Sequence, residues 1–343
     1  MDIKSMPYDR LQEYVVEELH EKAFRARQLY EWIHVHLARS YDEMTNLPKA
    51  LRERLASEAP LVALEKLECQ ISAEDGTRKY LFGLGDGEAV ESVLMRYHHG
   101  ISVCISSQVG CRMGCRFCAS TVDGLVRSLK PSEMLDQIYA IQRDTGERVS
   151  NIVVMGMGEP LENYDNLLVF LSMISDSHGL NISARNITVS TCGIVPAIYA
   201  LAEQKLQITL ALSLHAADQD TRKKLMPVAN KYELSEVMEA VVHYGEVTGR
   251  RVTAEYAIVS GQNDSDEDVK KLAALLGGKG IHLNLIPVNP VTESGFVPPS
   301  RREAEAFKNK LEKYGINVTI RREMGRDIDG ACGQLRRKHR ELP

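Results

Sequence analysis

The sequence predicts an α/β protein: a partial (β/α)6 TIM-like barrel with a small N-terminal helical accessory domain and a flexible C-terminal tail. Three observations carry that prediction. Residues 1 to about 60 repeat apolar side chains at helical spacing. From about 65 to 100 the pattern shifts to short alternating runs broken by turn signals. Beyond residue 118, apolar β-rich runs alternate with helical patterns, and repeated βα units build a parallel sheet with helices outside it.

In the first region Phe24, Leu29, Trp32 and Ile33 recur near helical spacing, and Leu51, Leu55 and Leu61 continue the pattern. Trp32 reads as a core residue rather than a ligand contact. Glu74-Asp75-Gly76 and Gly85-Asp86-Gly87 mark β-hairpin turns. Strand-like runs follow at 151–155, 186–190, 207–214, 252–259, 281–286 and 316–320. Helical patterns lie among them: Met134, Ile138 and Ile141, then Leu167 to Ile174, Val237 to Val241, Val269 to Leu276, and Ala304 to Leu311. Six strands after residue 118 suit a partial barrel better than a closed eight-stranded one. The last twenty-odd residues are polar and glycine-containing and read as a mobile tail. The expected divisions are 1–65 (helical), 66–100 (β-hairpin extension), 101–320 (barrel) and 321–343 (tail). No internal repeat or low-complexity segment interrupts them.

At 343 residues, 44% hydrophobic and 26% charged, the composition is that of a soluble globular protein. No apolar run approaches the ~18 residues a membrane span requires. The N-terminus, Met1-Asp2-Ile3-Lys4-Ser5-Met6, lacks a signal core, so a cytoplasmic location is expected. A net charge of −5 disfavours non-specific binding to nucleic acid. Local basic clusters temper that reading: Arg222-Lys223-Lys224, Arg250-Arg251, Arg301-Arg302, Arg321-Arg322 and Arg336-Arg337-Lys338-His339-Arg340. Taken singly such clusters are usually solvated faces, and composition leaves RNA binding undecided.

Three of the seven cysteines fall inside eight residues: Cys111, Cys115 and Cys118, spaced Cys-x3-Cys-x2-Cys with Phe117 before the last. Three thiolates can ligate three irons of a cubane 4Fe-4S cluster and leave the fourth open. Clusters that only carry electrons usually take four cysteines, so the missing ligand points to a small molecule on that iron. This spacing with Phe117 is the signature of radical S-adenosylmethionine (SAM) enzymes, whose open iron chelates the amino and carboxylate groups of SAM. Structural zinc is the competing reading, but it closes its shell with paired Cys or His ligands, and no second pair follows.

Four loops at expected strand ends carry the remaining signals. Met155-Gly156-Met157-Gly158-Glu159-Pro160 follows an apolar strand, and its glycines let backbone carbonyls approach a ligand closely. Thr188-Val189-Ser190-Thr191, Ser213-Leu214-His215 and Pro287-Val288-Asn289-Pro290 place small polar side chains at the barrel mouth, suited to ribose hydroxyls and a methionine carboxylate. Cys332 sits between glycines in Gly330-Ala331-Cys332-Gly333, where a thiolate is accessible and reactive. Cys104 ends an expected strand seven residues before Cys111. A buried inert thiol is the default for a lone cysteine, and Cys69 and Cys192 are read that way.

The chain resembles the RlmN/Cfr family of radical-SAM RNA methyltransferases across essentially its whole length. The matching stretches are VCISSQVGCRMGCRFCAST (103–121), MGMGEPLENYDN (155–166), ALSLHA (211–216), LIPVNP (285–290), RREMGRDIDGACGQL (321–335) and the N-terminal FRARQLYEWI (24–33). Glu159-Pro160 and the Ala-Ser-Thr after Cys118 resemble the adenine-C2 branch more than the C8, antibiotic-resistance branch.

The resemblance implies that Cys111, Cys115 and Cys118 hold the cluster, and that Gly158, Glu159, Ser190, Ser213, Leu214, His215 and Asn289 contact SAM. It makes Cys332 the methyl carrier, Cys104 its resolving partner in a transient disulfide, and Glu91 the proton acceptor. C2 of adenine is electron-poor and its C–H too weakly acidic for ordinary polar methylation, so a radical route is needed. One SAM would methylate Cys332, a second would be cleaved reductively to activate that methyl group for addition to C2, and Glu91 would take the C2 proton. Cys104 would then release the RNA, and an external reductant would reset both thiols. The implied substrates are an adenosine in the peptidyl-transferase region of 23S rRNA and the adenosine beside the tRNA anticodon. A one-electron donor of flavodoxin or ferredoxin type would serve a monomeric enzyme. The competing readings are a Cfr-type C8 methyltransferase, a radical-SAM protein-modifying enzyme, and a non-catalytic metal-containing RNA-binding module.

Overall fold

The computed structural model describes residues 1–288, 295–328 and 333–340. The chain opens with helices α1 (Tyr8–Glu13), α2 (Phe24–His34) and α3 (Lys49–Glu58). Strands β1 (Glu65–Ile71), β2 (Arg78–Gly83), β3 (Ala89–Tyr97) and β4 (Gly100–Cys104) follow, then a short ribbon of β5 (Gln108–Gly110) and β6 (Leu125–Ser128). The βα units comprise α4 (Pro131–Thr145), β7 (Val149–Val154), α5 (Tyr164–Ile174), β8 (Ile187–Thr191), α6 (Val195–Glu203), β9 (Thr209–Ser213), α7 (Gln219–Leu225) and α8 (Leu234–Thr248). They continue through β10 (Val252–Ile258), α9 (Asp266–Leu276), β11 (His282–Pro287), α10 (Arg301–Lys313) and β12 (Val318–Ile320), and the described chain closes with α11 (Gln334–Arg340).

β4 and β7 to β12 pair in parallel, each with the next, and the sheet does not close on itself. All six predicted strands beyond residue 118 are present, and β4 adds a seventh ahead of the cysteine loop. Local signals start and stop the helices. Pro131 opens α4 and Gly146, at φ 69°, ends it in the left-handed region. Ser265 caps α9 by accepting from Asp268 N–H.

The structure revises two expectations. The hairpin region extends the barrel sheet itself rather than linking to it: β1, β2 and β3 pair antiparallel in succession and β3 pairs antiparallel with β4, so one sheet of ten strands runs through both regions. Within the tail, 333–340 is not a loose segment. Leu335 is buried against Leu81 and Ala89, and the buried Arg336 pairs with Glu88 at 2.8 Å.

The helical N-terminal region packs on α4 and shares one core with the barrel. Lys4 lies 3.4 Å from Asp136, which also accepts from Leu64 N–H at 2.6 Å, and His34 Nδ1 lies 2.8 Å from the Tyr139 hydroxyl. Trp32 is half-buried against that core, with its indole N–H donating to Asn46. No helix among the described residues is long and apolar enough to cross a membrane.

Candidate active site

The parallel strands all run the same way, so the loops after β7, β8, β9 and β11 meet on one rim, where such barrels carry chemistry. There they surround a cavity of about 250 Å³ lined by Cys111, Cys115 and Cys118 together with Gly158, Glu159, Ser190, Ser213 and His215. Sequence positions more than a hundred residues apart converge because each follows a neighbouring strand.

The loop after β7 is zippered to the segment that feeds the cysteines. Gly156 N–H donates to Ile105 O, Ser107 and Gln108 N–H donate to Met157 O, and Glu159 N–H donates to Gln108 Oε1 at 2.9 Å. A Cβ on Gly156 would lie 2.7 Å from the Ile105 carbonyl, and one on Gly158 (φ 102°) would lie 2.5 Å from Gln108 Cβ. Both glycines are there because the two backbones touch. Glu159 is buried, with Oε2 accepting from Cys192 N–H at 2.8 Å and Oε1 from Leu161 N–H at 3.2 Å. Burial pushes its carboxyl above the usual range, opposed by those hydrogen bonds.

His215 is fixed in one tautomer. Its Nδ1 accepts from Ala257 N–H at 2.9 Å, which leaves Nε2 to carry the ring proton as a donor. Burial, with Arg222 nearby, lowers its pKa to about 3, so the ring is neutral, edge-on to Phe117 with centroids 4.7 Å apart. Ser190 and Ser213 hydroxyls lie 3.3 Å apart, and the buried Ser120 hydroxyl in the same wall has no hydrogen-bond partner among the described residues.

The residues fit a cluster with SAM. Burial pushes the Cys111 thiol up to about 12 and the Cys115 thiol well above its ordinary value, as in a desolvated pocket that needs metal charge to hold thiolates. One thiolate per iron around a shared cavity suits a cubane. The unpartnered Ser120 hydroxyl and the His215 Nε2–H offer polar contacts to a small molecule beside it.

Not every expected residue joins this cavity. Leu214 is fully buried with its side chain in the barrel core, its N–H donating to Glu255 O and its carbonyl accepting from Arg222. Cys104 is a buried cysteine lining an adjoining cavity of about 530 Å³, which shares Met155, Ile286 and Val288 with the first. Arg321 and Arg322 stand exposed at its edge. Asn289 and Cys332 lie outside the described residues. Glu91, on β3, is buried and fully engaged: Oε2 lies 2.7 Å from Lys79 Nζ and accepts from Gly333 N–H at 2.6 Å, while Oε1 accepts from Arg336 N–H at 2.7 Å. Gly333, next in sequence to Cys332, lies against the Ala119–Thr121 turn after Cys118, where a Cβ would come 2.5 Å from Ser120 N.

Sequence reasoning missed Gln108, Ser120, Lys79 and Arg222. Arg222 was grouped with Lys223 and Lys224 as a solvated basic run, yet it is fully buried. The helical spacing Arg222/Leu225 on α7 carried the signal, since both face inward.

Fold and cavity together define a radical-SAM enzyme. Residues 105–273 match the radical SAM superfamily, and residues 1–61 match the ribosomal RNA large subunit methyltransferase N-terminal domain. The chain is 62% identical to a probable dual-specificity RNA methyltransferase RlmN of Lachnospira eligens, over 99% of this chain and 97% of that one. It is 59% identical to the protein of the same name from Lachnoclostridium phytofermentans, over 99% and 95%. The crystal structure of a radical SAM methyltransferase from Sphaerobacter thermophilus superposes with a TM-score of 0.93 at 42% identity, covering 97% of this chain and 98% of that one. The chain belongs to the RlmN family of radical-SAM RNA methyltransferases, which use a 4Fe-4S cluster and SAM.

Proposed function

We propose that this enzyme methylates C2 of an adenosine in 23S rRNA and of the adenosine beside the anticodon in tRNA, through an S-methylcysteine on Cys332. The observation that carries the reading is the pair of joined cavities. One is lined by the three cluster cysteines and the polar strand ends, the other by Cys104 with exposed arginines at its edge. A cofactor and a nucleotide base can therefore approach each other from two sides, with Met155, Ile286 and Val288 between them. The arginines suit RNA phosphates.

When bound, the cluster and SAM supply one-electron reductive cleavage and hence hydrogen abstraction. The protein supplies position. Cys111, Cys115 and Cys118 hold the cluster, while Gly158 and Glu159 present a fixed backbone edge to the SAM ammonium. Ser190, Ser213, His215 and, from the loop after β11, Asn289 offer donors to ribose and carboxylate. The apolar wall around Cys104 excludes water from its thiol, which resolves the cysteine-bound product. Glu91 accepts the C2 proton once the start of α11 withdraws, because its oxygens are otherwise taken by Lys79, Gly333 and Arg336. The working enzyme is a cytoplasmic monomer fed by a flavodoxin- or ferredoxin-type donor.

Nucleoside mass spectrometry of rRNA and tRNA from a deletion strain, with and without the gene restored, tests this reading. The expected result is loss and return of 2-methyladenosine in both RNAs. Unchanged 2-methyladenosine, or 8-methyladenosine responding instead, overturns it.

A further inference from the structure

Among the described residues Arg222 is the largest fully buried side chain, and no ion pair there joins it to a carboxylate. Its guanidinium donates only to backbone carbonyls: Nη2 to Cys192 O at 2.6 Å and Ser213 O at 3.3 Å, and Nε to Leu214 O at 3.3 Å. Nη1 is buried and has no partner among the described residues. A charge sealed from water without a counter-ion is among the costliest things a fold can hold. Such a group marks a place where opposite charge arrives with something else.

The surroundings say what that is. Arg222 sits on α7 behind the cavity, with its guanidinium donating to the carbonyls of Cys192 and Ser213, two residues that line the cavity together with Cys115. The same helix props the cysteine loop, since Leu225 O accepts from Arg116 N–H at 3.0 Å and Leu225 packs with Cys115 and Phe117. A cubane held by three thiolates carries one net negative charge when oxidised and two when reduced. We propose that Arg222 is the buried counter-charge of the iron–sulfur cluster, holding its potential up so that a one-electron donor can reduce it. The three carbonyl hydrogen bonds fix the guanidinium in the wall, and in a low-dielectric interior its charge acts on the cluster across that wall. It touches neither substrate nor cofactor and is a positioning and electrostatic residue. The inference rests on Cys111, Cys115 and Cys118 being the cluster ligands.

The test uses the full-length protein, reconstituted anaerobically, with iron content measured and the cluster titrated with dithionite while the reduced signal is followed by EPR. Arg222→Lys keeps a charge but loses the fork of donors; Arg222→Gln keeps hydrogen bonding but loses the charge. Arg222→Lys is expected to load iron and keep the wild-type midpoint potential. Arg222→Gln is expected to load but shift to a more negative midpoint, leaving less reduced cluster at any given poise. A loaded Arg222→Gln with the wild-type potential overturns the proposal. Should Arg222→Gln retain no cluster, loading of Arg222→Lys supports the charge as the cause, and failure of both alike overturns it in favour of a structural role for the whole guanidinium in the wall. Wild-type protein that binds no iron would instead sink the ligand assignment, leaving the two failures distinct.

Discussion

Gly158 combines a left-handed backbone (φ 102°) with a neighbour that leaves no room for a Cβ. Gly158→Ala meets both penalties, and at least about 2 kcal/mol of destabilisation is expected from strain and overlap together. Urea unfolding and SAM binding by calorimetry check it; unchanged affinity would mean the loop relaxes freely. Cys104 makes a sharper case at the same scale. On the proposed mechanism, Cys104→Ala leaves methyl transfer to Cys332 possible but removes the nucleophile that releases product. A protein–RNA adduct should accumulate, seen as a denaturant-resistant band that nuclease digestion collapses. Normal turnover without trapped RNA would reduce Cys104 to a packing residue. The local spacing of Cys111, Cys115 and Cys118 made the cluster legible from sequence alone. Arg222 was not legible, because a basic triplet does not say which of its members a helix turns inward.

Among the elements, the docking of α11 onto β2 and β3 concentrates the most tertiary information. Glu91 joins Lys79 on the neighbouring strand to two backbone N–H groups at the start of α11, some 240 residues later. Lys79 is 0% exposed and Glu91 3%. Lys79→Met strands a buried carboxylate and is expected to cost roughly 3–5 kcal/mol in urea unfolding. The double variant Lys79→Met/Glu91→Leu should recover much of that stability, since both charges are gone. Hydrogen exchange over 333–340 should nevertheless stay fast in the double variant, because the cap on α11 is lost with Glu91. Restored protection would show that Leu335 and Arg336 alone anchor the helix. Strand and helix identities were readable from their periods of two and 3.6 residues, whereas the short polar α11 has no apolar stripe to announce it.

Across the whole molecule, the helical N-terminal region is joined to the barrel through buried polar contacts. His34 lies there, beside Tyr139 on α4, with burial and then the nearby Lys4 lowering its pKa to about 3. A histidine held neutral when folded but titrating near 6.5 when unfolded destabilises the fold as pH falls below that unfolded value. Stability should therefore drop from about pH 6.5 downward, by up to roughly 1.4 kcal/mol per pH unit from this group. His34→Gln, which keeps a partner for the Tyr139 hydroxyl but cannot titrate, should flatten that slope in denaturation curves taken between pH 7 and 5. An equally steep slope in the variant would assign the acid sensitivity elsewhere.

What the sequence determined by itself was everything encoded at short range. The cysteine spacing, the glycine pair after β7, the alternation of strands and helices, and the motifs that mark the family all lie within a few residues of one another. Only the tertiary structure decided what those motifs face. It drew the hairpins into the barrel sheet, turned Leu214 into the core, closed Glu91 under α11 and buried Arg222 behind Cys192. The physical reason is range: burial and charge pairing are set by neighbours in space, and those come from strands and helices tens to hundreds of residues apart.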